Sequence, residues 1–125
     1  MANEITYSIS VGLSNGGVQD NYATGSKTAN QTTAALVKNV QAIGTTAAGE
    51  ALDLGSVITP GIAYFVNLDA ISSSETIQIG VQTGDVFYPL VKMKAAEKAM
   101  FRLTAAPYAK ASAGTINLMY AIYAA

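Results

Sequence analysis

The sequence predicts an all-β protein, an antiparallel β-sandwich of about eight or nine short strands. Two observations carry this. Apolar and polar residues alternate with period two over several stretches, as half-buried strands require. Turn residues separate these stretches at spacings of roughly 8–12 residues, the rhythm of sandwiches and barrels. Heptads, long helical patterns, low-complexity tracts and internal repeats are absent. No composition break marks a second domain, so 125 residues read as one domain over 1–125.

The stretch from Glu4 to Leu13 has the cleanest alternation. It sets Ile5, Tyr7, Ile9, Val11 and Leu13 against Thr6, Ser8, Ser10 and Gly12. Asn15-Gly16-Gly17 supplies the residues of a tight turn, and Val18 to Tyr22 returns as a weaker strand. Ala23 to Thr33 is small and polar and reads as a loop or an irregular edge strand. Leu36 to Ile43 is a strand whose broken alternation leaves either Val37 or Val40 inward. Gly44 to Gly49 is a turn, and Glu50 to Leu54 a short strand with Leu52 and Leu54 on one side. Pro60-Gly61 fits the centre of a type II turn.

Gly61 to Leu103 then reads as four successive strands. Their loops are Ile71 to Ser74, Gln82 to Asp85 and Lys94 to Glu97. Lys94 to Leu103 is also rich in good helix formers. Its clean alternation of Lys98, Met100 and Arg102 against Ala99, Phe101 and Leu103 favours a turn and a strand. A short loop around Tyr108 and Lys110 follows Ala105-Ala106-Pro107. The final strand, Thr115 to Tyr123, buries Ile116, Leu118, Tyr120 and Ile122 and ties the end of the chain into a sheet.

Composition narrows the function classes. Charged residues are 12% of the chain and hydrophobic residues 50%, with a net charge of -1. Globular chains carry about 25% charged residues. A charge-poor surface suits contact with neighbours better than solitary life in solution, so an oligomer or assembly is expected. The chain has no Cys and no His. It therefore has no disulfide or thiolate chemistry, and it lacks the commonest general base and metal ligand. Seven Lys and Arg residues make no basic patch, so nucleic acid is not an expected partner. No apolar run reaches the about 20 residues that span a bilayer as a helix. Met1-Ala2-Asn3-Glu4 lacks the features of a signal peptide, so synthesis in the cytoplasm is expected.

Motifs that resemble active sites fail on context. Gly12-Leu13-Ser14-Asn15-Gly16 matches the nucleophile-elbow pattern, but that motif needs a strand-turn-helix and a His base. Gly25-Ser26-Lys27-Thr28 ends like a P-loop but has Ser where Gly must precede Lys. Asp53, Asp69, Glu75 and Asp85 are too loosely spaced for a calcium loop and fit turn-forming roles. Asn30-Gln31-Thr32 is a glycosylation sequon. Of the seven tyrosines, Tyr7, Tyr64 and Tyr120 fall in apolar rows. Tyr22, Tyr108 and Tyr123, with Lys27, are the interface candidates. No catalytic, cofactor-binding or metal residue is assigned, and no cofactor is expected.

Ala63-Tyr64-Phe65-Val66-Asn67-Leu68-Asp69, Ile77-Gln78-Ile79-Gly80-Val81, Phe87-Tyr88-Pro89-Leu90, Lys94-Ala95-Ala96-Glu97 and Phe101-Arg102-Leu103 occur in that order. Pro107-Tyr108-Ala109-Lys110-Ala111 comes later. The series resembles small structural proteins of tailed bacteriophages, with their "F-x-N-L-D", "I-x-I-G", "F-x-P-L" and "K-A-G-E" segments, over about half the chain. It departs at Ala96, where the pattern prefers Gly. The resemblance implies a jelly-roll-like, non-enzymatic virion component. A head decoration or cement protein is the first reading. It would assemble as a symmetric homo-oligomer, with a trimer favoured, and bind the major capsid protein or other virion proteins. The N-terminal strand and Ala23 to Thr33 are the expected contact segments. A tail- or fibre-associated structural protein and a carbohydrate-binding β-sandwich module are the alternatives.

Overall fold

The computed structural model describes residues 4–125 and divides the chain into two compact units, Met1–Thr32 and Thr33–Ala125. The described residues are all-β and antiparallel, with twelve strands. The count exceeds the eight or nine expected, because several strands are only two to four residues long.

The first unit is a two-stranded ribbon. β1 (Ile5–Tyr7) pairs with β4 (Lys27–Ala29), and β2 (Ser10–Asn15) pairs with β3 (Val18–Ala23). The expected single strand from Glu4 to Leu13 is thus broken at residues 8–9, and the segment from Ala23 to Thr33, expected as a loop or an irregular edge strand, contains the short strand β4. At the break, Ile9 N–H donates to Thr24 Oγ1 and Thr24 N–H to Ile9 C=O, both at 3.0 Å. Gly16 and Gly17 close the ribbon with φ of 53° and 93°, a twist that matches the strands.

The second unit has eight strands. They are β5 (Leu36–Ile43), β6 (Glu50–Ala51), β7 (Pro60–Asn67), β8 (Thr76–Thr83), β9 (Val86–Lys94), β10 (Lys98–Arg102), β11 (Tyr108–Ala111) and β12 (Ile116–Ala124). One sheet has the order β10-β7-β12-β5 and the other β6-β11-β8-β9. The ladders nest around the β8–β9 hairpin: β8 with β9, β7 with β10, β6 with β11, β5 with β12. Successive ladders fall in opposite sheets. A four-ladder ribbon rolled up in this way is a jelly roll.

Inward residues follow the alternation. Ala63 and Phe65 of β7, Leu118, Tyr120 and Ile122 of β12, Ile77 and Ile79 of β8, and Met93 of β9 form the core. Val37 points toward it, whereas Val40 is exposed on the other side of β5. Tyr108 to Ala111, expected as a loop, is β11; its inward residues are only Ala109 and Ala111. Pro60-Gly61 is the start of β7 and not a turn. A Cβ on Gly61 would lie 2.9 Å from the Ala125 Cα, so the glycine serves close backbone packing.

Asn67 is the buried polar residue among the described side chains. Its Nδ2 donates to Met93 C=O at 3.2 Å, and its Oδ1 accepts from Asp69 N–H at 2.9 Å. It therefore ties β7 of one sheet to β9 of the other with its own polar atoms satisfied. Next to it, Lys94 to Glu97 forms a turn, with Glu97 N–H donating to Lys94 C=O at 3.1 Å. Ala96 sits there with φ of 64°. A Cβ in this left-handed region costs about 1 kcal/mol, which glycine avoids. Ala96→Gly is accordingly expected to raise the urea-unfolding free energy by roughly 0.5–1 kcal/mol. A measured loss would show that the turn does not carry this strain.

Candidate functional site

Each of the two sheets of the jelly roll has an outer face, and the two differ in chemistry. On the β6-β11-β8-β9 sheet the outward residues include Thr76, Gln78, Lys92, Lys94, Tyr108 and Lys110, where Gln78 stands between Lys92 and Lys110. These residues are polar and cationic, although β9 of the same sheet also exposes Val86, Tyr88 and Leu90. On the β10-β7-β12-β5 sheet three rows cross the outer face, and the exposed pair Asn117 and Ala42 adds a shorter one at its end. The first is Lys98, Val66, Met119 and Val40; the second Met100, Tyr64, Ala121 and Lys38. The third is formed by Arg102 opposite Ile62 and Tyr123 opposite Leu36. This face is apolar with a cationic margin, although the core lies on the opposite side of the same sheet.

Exposure confirms that the surface is open. Leu36 is 56% and Val40 50% exposed, and Val66, Met100, Met119, Tyr64 and Tyr123 are half-buried. The Tyr64 and Tyr123 rings meet edge to face with centroids 6.5 Å apart, which stiffens the centre of the face. The sequence signal was available. Ile62 to Val66 and Leu118 to Tyr123 are continuous apolar runs, the pattern of strands covered on both faces.

The four interface candidates are divided between the two units. Tyr123 lies in the apolar face just described. Tyr108 is half-buried on the other sheet, opposite Gly80. Tyr22 and Lys27 are exposed in the ribbon, opposite Val11 and Tyr7. The apolar residues of the ribbon are largely exposed as well: Val11, Leu13 and Val18 are 57%, 48% and 62% exposed.

The acids support loops. Glu50 Oε2 accepts from Gly44 N–H at 2.8 Å, Asp53 Oδ1 from Gly55 N–H at 2.9 Å, and Glu97 Oε1 from Lys94 N–H at 2.6 Å. Asp85 takes φ of 61° beside Gly84 in the β8–β9 turn. Among the described residues no three of His, Cys, Asp and Glu are grouped to hold a metal ion. Ser14 is exposed on β2 opposite Gln19, in a strand-turn-strand and not an elbow. An apolar hollow of about 80 Å³ lies between Ile79, Val81, Leu90, Phe101, Leu103 and Pro107. Pockets for drug-sized ligands measure about 300–1,000 Å³.

One buried hydroxyl is held in a polar network. Tyr120 donates to Asp53 C=O at 2.8 Å, with Gln41 Oε1 at 3.2 Å, and accepts from Asn39 Nδ2 at 3.4 Å. Gln41 in turn donates to Ala51 C=O and accepts from Asp53 N–H. The network fastens the segment after β6 onto β5 and β12. Burial pushes the Tyr120 hydroxyl above the ordinary tyrosine value, the Asn39 bond opposes this and the Asp53 charge adds to it. The folded state thus holds this proton more tightly than the unfolded chain. Its contribution is complete below pH about 10 and is lost as pH rises through the folded value. The urea midpoint is expected to fall above pH about 10, and Tyr120→Phe is expected to shrink that fall. An identical alkaline decline in the variant would refute the assignment.

Comparisons with protein-family models, with curated proteins and with solved structures found no match.

Proposed function

We propose that the protein is a non-enzymatic structural component of a bacteriophage virion. In this reading it is a capsid decoration or cement protein that binds the head as a homo-oligomer, with a trimer favoured. The observation that carries the reading is the apolar outer face of the β10-β7-β12-β5 sheet. A sheet wet on one side keeps polar residues there. Here Val66, Met100, Met119, Tyr64 and Tyr123 occupy it beside the exposed Leu36 and Val40. Such a face on a charge-poor chain suits stable burial against protein neighbours. The jelly roll is an architecture common in viral capsid and lectin domains, which supports a structural or binding role without deciding between them. The resemblance of Ala63 to Leu103 to phage structural segments supports the virion reading.

Light scattering on the purified chain is expected to give a mass three times that of the monomer. The protein is then expected to sediment with phage heads that lack it. A monomer at high concentration that leaves such heads unbound would overturn this reading.

A further inference from the structure

We propose that the ribbon of one copy lies, apolar side down, on the outer face of the β10-β7-β12-β5 sheet of a second copy. The inference rests on the assembly reading above and names the partner of that face.

The ribbon is built to be covered on one side. Its register places Val11 opposite Tyr22, Leu13 opposite Asp20, and Asn15 opposite Val18. The other side pairs Ser10 with Ala23, Gly12 with Asn21, and Ser14 with Gln19. One face is apolar and the other polar and small. Ile9, Val11, Leu13, Val18 and Tyr22 are all exposed, and together present on the order of 500 Å² of surface, at the upper end of the patch a monomer carries. Two strands with nothing against them are marginally stable in water. The ribbon thus gains most from a partner that takes its apolar side.

Charge selects that partner. The charged residue on the apolar side of β2 and β3 is Asp20. The outer sheet face carries Lys38, Lys98 and Arg102 and no acid in its strands. Two ribbons stacked symmetrically would bring one Asp20 toward another. Two sheet faces stacked symmetrically would bring cations together. Ribbon on sheet sets one acid among three cations and apolar side chains on apolar side chains. The sheet is four strands wide, about 19 Å at the usual strand spacing, which is room for a two-stranded ribbon. Covering both surfaces buries on the order of 1,000 Å², the threshold for a specific interface. Each copy offers one ribbon and one acceptor face, so every surface is satisfied when the copies close symmetrically, as a reciprocal pair or as a ring.

The chain has no cysteine, so introduced thiols report without background. Full-length Leu13→Cys and full-length Val40→Cys are co-expressed with different tags, purified through both, and treated with a short bismaleimide. The mixed crosslink between the two variants is expected at least tenfold above the crosslink of either variant with itself. A dominant Leu13→Cys pair would mean ribbon on ribbon, and a dominant Val40→Cys pair sheet on sheet; either overturns the proposal. So does a within-chain crosslink in the double variant without the mixed one. Light scattering on the same samples separates the two levels. An intact oligomer with no mixed crosslink overturns this docking and leaves assembly standing, whereas a monomer overturns both. As a second readout, Asp20→Lys is expected to dissociate the oligomer, and Lys38→Glu in the same chain to restore part of it. Unchanged mass in Asp20→Lys counts against the charge pairing and with it the proposal.

Discussion

Gly80→Ala is expected to lower the unfolding free energy by about 3 kcal/mol or more, at the upper end of what overpacking costs. The reason is backbone on backbone. At Gly80 the β8–β9 register shifts: Ile79 faces Val91, the next residue faces Pro89, and Leu90 is the extra residue of a bulge. The shift brings β9 onto the Cα of Gly80. A Cβ there would stand 2.0 Å from the Tyr88 carbonyl oxygen and 2.9 Å from the Pro89 Cα. No side chain can rotate away to make room, so the hairpin itself must open. Pro89 tolerates the site because β9 is an edge strand. The measurement is urea unfolding followed by tyrosine fluorescence, since the chain has no Trp. A loss below about 1 kcal/mol would mean that the bulge is soft and that Gly80 is not required by it.

Phe65→Ala is expected to cost about 3–5 kcal/mol, enough to put folding itself at risk in a domain of this size. Phe65 is fully buried on β7, between β10 and β12. Its ring stacks on Phe101 at a centroid distance of 5.2 Å and an interplanar angle of 24°. Truncation removes the transfer energy of the ring and leaves a cavity that the rigid sheet on each side cannot close. Phe101 is only partly buried, and Phe101→Ala is expected to cost clearly less. Equal losses in the two variants would argue that the stacked pair, and not the burial of Phe65, carries the energy.

Neither position was legible in the sequence. Both phases of β7 are apolar, so alternation assigns no inward side: Tyr64 falls in an apolar row by pattern, yet Ala63 and Phe65 face the core and Tyr64 the outer surface. The importance of Gly80 is hidden because its constraint comes from Tyr88 and Pro89 across a ladder whose bulge has no signature within β8. Likewise Pro60-Gly61 has the composition of a turn, yet the dipeptide begins a strand. Gly61 is required by Ala125, a neighbour more than sixty residues away in sequence. β11 has no strand signature in the sequence, because a strand is marked by its apolar row and Ala109 and Ala111 are too small to make one. The ribbon shows the converse. The row from Ile5 to Leu13 is a strong pattern, but a pattern only says that a face is meant to be covered. It does not say by what, and most of that row is exposed in the chain.

The all-β class, the β7 to β10 succession, the final strand β12 with its inward Ile116, Leu118, Tyr120 and Ile122, and the Gly16-Gly17 turn can be read from the residues alone. These depend on local rules: side chains alternate every residue along a strand, and tight turns need residues that accept positive φ. The tertiary structure alone decided which strands pair, the nesting that makes the second unit a jelly roll, and the apolar outer face across β10, β7, β12 and β5. That face draws on four strands spread from Leu36 to Tyr123. Period-two alternation gives each strand two sides, and only the pairing of distant strands determines which side is core and which is left for a neighbour.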